Sequence, residues 1–149
     1  MSKKYEFTGE VKWHNGRSLK RIRRIKDNVL GGWVESTYNL SQQGDCFIHN
    51  EVKVYGNGLV RDNALLFDNV EVYDNARVTE YSRIYGDAII RGDSSLRGSP
   101  VVRDKVLIQG CATIQGSPSI YEEVFICEYT NIGGNAHLSG RCRVTGYAT

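Results

Sequence analysis

From Ile48 onward the chain repeats an aliphatic residue at every sixth position for 102 residues, seventeen units in all. The units open on Ile48, Val54, Val60, Leu66 and Val72, and continue in the same register to Ile132, Leu138 and Val144. Their fifth residues are uniformly compact, among them Gly58, Ala64, Ala76, Ala88, Ala112 and Ala136. A helical period of 3.6 would scatter these positions around an axis, so the repeat excludes a helical array. The third position is mostly Gly or Asp (Gly56, Asp62, Asp68, Asp74, Gly86) and the fourth often Asn or Asp (Asn57, Asn63, Asn69, Asp87). These residues enter turn and left-handed conformations cheaply. Each unit therefore reads as a short strand followed by a corner. Three units close a triangle of eighteen residues, and triangles stack as parallel strands roughly 4.8 Å apart. The expected fold is all-β: a parallel β-helix of about six triangular coils, 25–30 Å tall at about that strand spacing. Pro100 and Pro118 share one corner column inside matching Gly-Ser-Pro triplets, where no ladder N–H is needed.

Residues 1–27 differ from the rest. Nine basic residues stand there against Glu6, Glu10 and Asp27, a net of +6, so the remaining residues net −4 in a chain of +2. The strand-like alternation of Tyr5–Thr8 and Val11–Trp13 and the Asn15-Gly16 turn signal predict a β-hairpin. Its expected role is to cap the open end of the solenoid over residues 1–35, with the repeats occupying 36–149. The alternative is a basic surface for nucleic acid or an anionic ligand, carried by Lys20, Arg21, Arg23 and Arg24.

Gly31-Gly32-Trp33-Val34-Glu35-Ser36 and Asn39-Leu40-Ser41 follow, then the Val54-Tyr55-Gly56-Asn57 type of unit. In these runs the chain resembles the YdcK-type β-solenoid family of bacterial and phage or prophage proteins, and its repeats are similar to those of hexapeptide-repeat proteins. The resemblance implies a left-handed helix and an intracellular bacterial setting. It supplies no catalytic residues. No apolar run is long enough to span a membrane. Met1-Ser2-Lys3-Lys4 does not open a secretory leader, and the four cysteines fit a reducing, cytoplasmic compartment as core fillers or surface thiols.

Register sorts the surface, because residues flanking each aliphatic first position point outward. The first wall presents Phe47/His49, Leu65/Phe67, Arg83/Tyr85, Val101/Arg103, Ser119/Tyr121 and His137/Ser139. The second presents Lys53/Tyr55, Glu71/Tyr73, Ile89/Arg91, Leu107/Gln109 and Phe125/Cys127, and the third is polar. Two apolar, aromatic walls with interspersed arginines have interface composition, although stacked aromatics also stabilise sheets without any partner. The candidate interface is Phe47, Leu65, Phe67, Tyr85, Val101, Arg103 and Tyr121 on the first wall and Tyr55, Tyr73, Ile89, Leu107 and Phe125 on the second. A homodimer is the first expectation, and the end of the chain at Tyr147–Thr149 reads as an unprotected edge.

Catalysis is tested by three histidines only, His14, His49 and His137. No triad for zinc and no phosphate-binding glycine loop is spaced correctly. An acyltransferase-like site formed between subunits around His49 or His137 is the enzymatic alternative. Arg83, Arg91 and Arg97 extend the anionic-ligand alternative into the middle coils. The expectation is a non-enzymatic binding or scaffold protein with no cofactor, and its specific form is a phage accessory protein that blocks a host factor.

Overall fold

The computed structural model describes residues 3–146. Seventeen two-residue strands, from Phe47–Ile48 to Arg143–Val144, recur every six residues and stack into three parallel sheets. Partners lie eighteen apart: Leu65 pairs with Arg83, Ile89 with Leu107, and Ser95 with Thr113. The result is a parallel β-solenoid of about six turns. Main-chain N–H groups of one coil donate to carbonyls of the next, as Arg91 N does to Ile108 O at 2.9 Å and Gln109 N to Ile126 O at 2.9 Å. The aliphatic first positions fill the axis, with Val54, Leu66, Ile84, Ile90, Leu96, Ile108 and Ile120 wholly buried. Compact fifth residues such as Ala64, Ala88 and Ala112 sit in the corners, also buried.

The corners depend on the third residue of each unit. From Asn50 to Gly146 all seventeen occupy the left-handed region, with φ between 53° and 81°. Glycine takes it without a Cβ penalty. At Asn50, Asp62, Asp68, Asp74, Glu80 and Asp104 the side chain accepts the N–H of the equivalent residue one coil on. Asp68 Oδ2 accepts from Gly86 N at 2.9 Å, Asp74 Oδ2 from Gly92 N at 3.1 Å, and Asp104 Oδ2 from Glu122 N at 3.0 Å. The fourth residues add a second ladder, Asn57 to Asn75 at 3.1 Å and Asn75 to Asp93 at 3.0 Å. The fifth residue's N–H makes only a local turn bond, such as Ala64 N to Arg61 O at 3.4 Å. Proline therefore loses little at positions 100 and 118, and both prolines still accept from the coil before, Arg83 N and Val101 N.

At the N-terminus, β1 (Tyr5–His14) and β2 (Arg17–Arg24) form an antiparallel hairpin, and β2 pairs with β3 (Leu30–Val34). β3 already belongs to the solenoid. It runs parallel to Lys53–Val54, and Leu40 bridges Val60. The coils thus begin near Leu30, ahead of the expected boundary at residue 36. A short 3-10 turn at Thr37–Asn39 makes the first corner. Tyr5 and Ile22 plug the end of the core. Burial pushes the Tyr5 phenol up to about 12, and its hydroxyl donates to Leu40 O at 2.6 Å.

Candidate interaction surface

The hairpin does more than cap the axis. Its inward side folds over the head of the second wall and encloses a separate small core of Leu19, Trp33 and Tyr55, with Tyr73 against it. Trp33 is the centre of the clasp. Its indole N–H donates to Glu51 Oε2 at 2.9 Å, the Lys12 ammonium lies 4.5 Å from the ring centroid, and the Arg21 guanidinium lies 5.1 Å from it. That hydrogen bond, joined by Arg21 and Lys12, holds the Glu51 carboxyl below the usual range. At the hairpin tip, His14 Nε2 meets Glu71 Oε1 at 2.8 Å, the Tyr55 hydroxyl donates to the same oxygen at 2.9 Å, and Asn15 Nδ2 donates to Tyr55 at 3.0 Å. Burial raises the Tyr55 phenol. Tyr55 is therefore not part of an accessible wall: it is 3% exposed. Cys127, expected on the outer face, is buried as well. Of the second wall's apolar residues, Ile89, Leu107 and Phe125 remain half-exposed, and the Arg143 guanidinium lies over Phe125 at 4.9 Å.

The basic residues of the N-terminal segment are mostly spoken for. Arg17 pairs with Glu35 at 2.8 Å, Arg21 with Glu51 at 3.6 Å and Glu10 at 4.0 Å, Arg23 with Glu6, and Arg24 with Asp27 at 2.9 Å. The guanidinium of Arg24 also covers the Phe47 ring at 4.8 Å. Lys20 stays exposed beside Phe7. Arg83, Arg91 and Arg97 do not converge, because each stands on a different wall. They bond to Asn63 O, to Tyr73 and Gln109, and to Gln115 respectively. A continuous basic stripe for a nucleic-acid backbone is not assembled from the residues the sequence offered for it.

The first wall is different, since the hairpin leaves it open. One column forms a parallel stack: His49 on Phe67 at 4.7 Å and Phe67 on Tyr85 at 4.8 Å, each interplanar angle 6°. Further along, Arg103 lies over Tyr121 at 4.6 Å, and the Tyr121 hydroxyl meets His137 Nε2 at 2.6 Å. Leu65, Phe67, Tyr85 and Tyr121 are half-exposed, and Val101 and Arg103 are exposed. Phe47 is the exception, wholly buried at the head of the same wall beneath Arg24 and against Gly31. The stacked rings spend their faces on each other, so they present edges and the Tyr85 hydroxyl outward. Such a surface suits packing against the side chains of a protein partner. Exposed acids line both flanking corners, Asp62 and Glu80 on one side and Asp87 and Glu122 on the other. His49 directly follows the first strand of this six-stranded sheet and His137 opens the last. Burial, with Arg24 nearby, pushes the His49 imidazole below its ordinary value.

The two runs singled out in the sequence have structural work. A Cβ on Gly32 would lie 2.4 Å from Val52 O, and one on Gly31 2.7 Å from the Phe47 ring. Glu35 Oε1 accepts Gly56 N at 2.8 Å in the manner of the corner aspartates. Buried Asn39 uses both ends of its amide: Oδ1 accepts Glu35 N and Ser36 N, and Nδ2 donates to Gly56 O and Gly58 O. These residues build the junction between cap and coils. No protein-family model matches the chain, and no curated protein matches it.

Proposed function

We propose that the chain is a non-enzymatic binding and scaffold protein that acts as a homodimer, with the first wall as the subunit interface. The observation that carries this reading is the open stretch of Leu65, Phe67, Tyr85, Val101 and Tyr121, left uncovered where the hairpin shields the head of the second wall. Self-complementarity favours a second copy. An isologous pair turns the same wall on itself, which brings Arg83 and Arg103 of one copy toward the acidic corners of the other. The likeness of Gly31–Ser36 and Asn39–Ser41 to YdcK-type proteins extends the proposal to a phage-encoded accessory role, in which the assembled solenoid blocks a host protein. Four unpaired thiols fit action in a reducing cytoplasm. No helix among the described residues is long and apolar enough to cross a membrane. The test is light scattering coupled to size exclusion across a concentration series. A dimer that the double variant Phe67→Asp, Tyr85→Asp converts to a folded monomer supports the reading. A monomeric wild type, or a dimer indifferent to the double variant, overturns it.

A further inference from the structure

A cleft of about 510 Å³ opens where the base of the hairpin meets the head of the first wall. Lys3, Lys4, Arg24 and Lys26 line it together with His49 and Leu65, and Asp45 is the one acid in the lining. Counting Asp27, which pairs with Arg24, four cations face two carboxylates, a surplus of +2. Among the described residues neither Lys3 nor Lys26 has a carboxylate within ion-pair distance. Lys4 is fixed differently: its ammonium donates to Cys46 O at 2.5 Å, Gly44 O at 3.3 Å and Gln43 O at 3.4 Å. Main-chain carbonyls hold that charge in place without cancelling it. The cleft also has an apolar side, because Leu65 lines it and the His49 ring rests on Phe67.

Like charges gathered around one cleft repel one another, and an anion that enters relieves that repulsion. We propose that the cleft binds a small phosphate-bearing molecule, its phosphate held by Lys3 and Lys26 beside the fixed charge of Lys4, and its planar or apolar body lying against Leu65 and His49. The surplus of two charges matches a phosphate dianion, which ammonium groups bind as point charges. The volume lies within the range of small-molecule sites. A nucleic-acid strand would want a longer basic track, and Arg21 and Arg23 beyond the cleft are already paired. Leu65 lies at the edge of both this cleft and the wall proposed as the dimer interface, but the readout, ligand-induced chemical shifts, is separate from oligomeric state.

Adenosine 5′-monophosphate and adenosine, titrated into the isotope-labelled protein and followed by amide and imidazole chemical shifts, test this. The nucleotide is expected to move signals of Lys4, Lys26, His49 and Leu65, and the nucleoside to leave them in place. Lys3→Glu with Lys26→Glu, both on the surface, should weaken the nucleotide at least about tenfold. Lys105→Glu, an exposed lysine outside the cleft, should not. An otherwise unchanged spectrum of the double variant shows that its fold is intact. The inference falls if the nucleotide leaves the cleft signals unmoved, or if the shifts survive the double variant. It also falls if only an oligoglutamate peptide or single-stranded RNA moves those signals.

Discussion

Asp74 gives a quantitative test of how the solenoid turns its corners. Its backbone sits at φ 59°, and its Oδ2 accepts the Gly92 N–H one coil on at 3.1 Å. A side chain with a Cβ and no local hydrogen bond costs roughly 1–2 kcal/mol in the left-handed region. An exposed hydrogen bond contributes about 0.5–1.5 kcal/mol. Asp74→Ala loses the bond and retains the conformational cost, so it should destabilise by about 0.5–1.5 kcal/mol. Asp74→Gly loses the same bond but relieves the backbone, offset by about 0.5–1 kcal/mol of extra freedom in the unfolded chain. The expected order of stability is Asp, then Gly, then Ala, with Gly ahead of Ala by roughly 0.5–1 kcal/mol. Urea unfolding followed by circular dichroism, fitted with a common slope, measures this directly. If Ala equals or exceeds Gly, the left-handed corner does not set the sequence preference at the third position.

Three further outcomes follow from the junction and the clasp. Gly32→Ala forces a Cβ to 2.4 Å from Val52 O, and backbone cannot yield cheaply there. Urea unfolding should show a loss of at least about 2 kcal/mol, in the range of overpacked cores. Trp33→Phe removes the indole donor to Glu51, so hydrogen exchange should rise along β1 and β2 while the coils beyond Val60 stay protected. The Glu51 carboxyl titrates lower in the folded state than in the unfolded chain. Its contribution is thus present above the unfolded value of about 4.3 and is lost as pH falls through the lower folded value. Acid unfolding of Glu51→Gln should lack that part of the pH dependence, and an unchanged acid profile would contradict the clasp.

The repeating part of this fold was legible because one geometric rule, six residues per side, recurs in the sequence without interruption from Ile48 to Val144. The first coil escaped the rule. Val34 pairs with Val54, twenty residues on, whereas Phe47 pairs with Leu65, eighteen on. Two additional residues therefore lie between Val34 and Phe47, and they put Val34 and Leu40 out of phase with the later units. A boundary drawn at 35/36 cut through a coil as a result. The register assigns Phe47 and Tyr55 to outer columns, yet both are covered. Their cover comes from Arg24 and from the hairpin tip, long-range contacts that no period encodes. The same limit applies to the basic segment. Counting arginines shows charge, but only the fold shows that Glu6, Glu35, Glu51 and Asp27 are seated against them. The acidic corner residues, read as turn formers, proved also to be acceptors for the next coil.

The most direct test of the first wall as an interface is site-specific photo-crosslinking. Val101, exposed at the middle of that wall, and Thr113, half-exposed on the third, are each replaced by a photoreactive phenylalanine analogue. The dimer account predicts a covalent species of doubled mass from position 101 and none from position 113. A crosslink from 113 alone, or none from 101 at concentrations where light scattering reports a dimer, would contradict it.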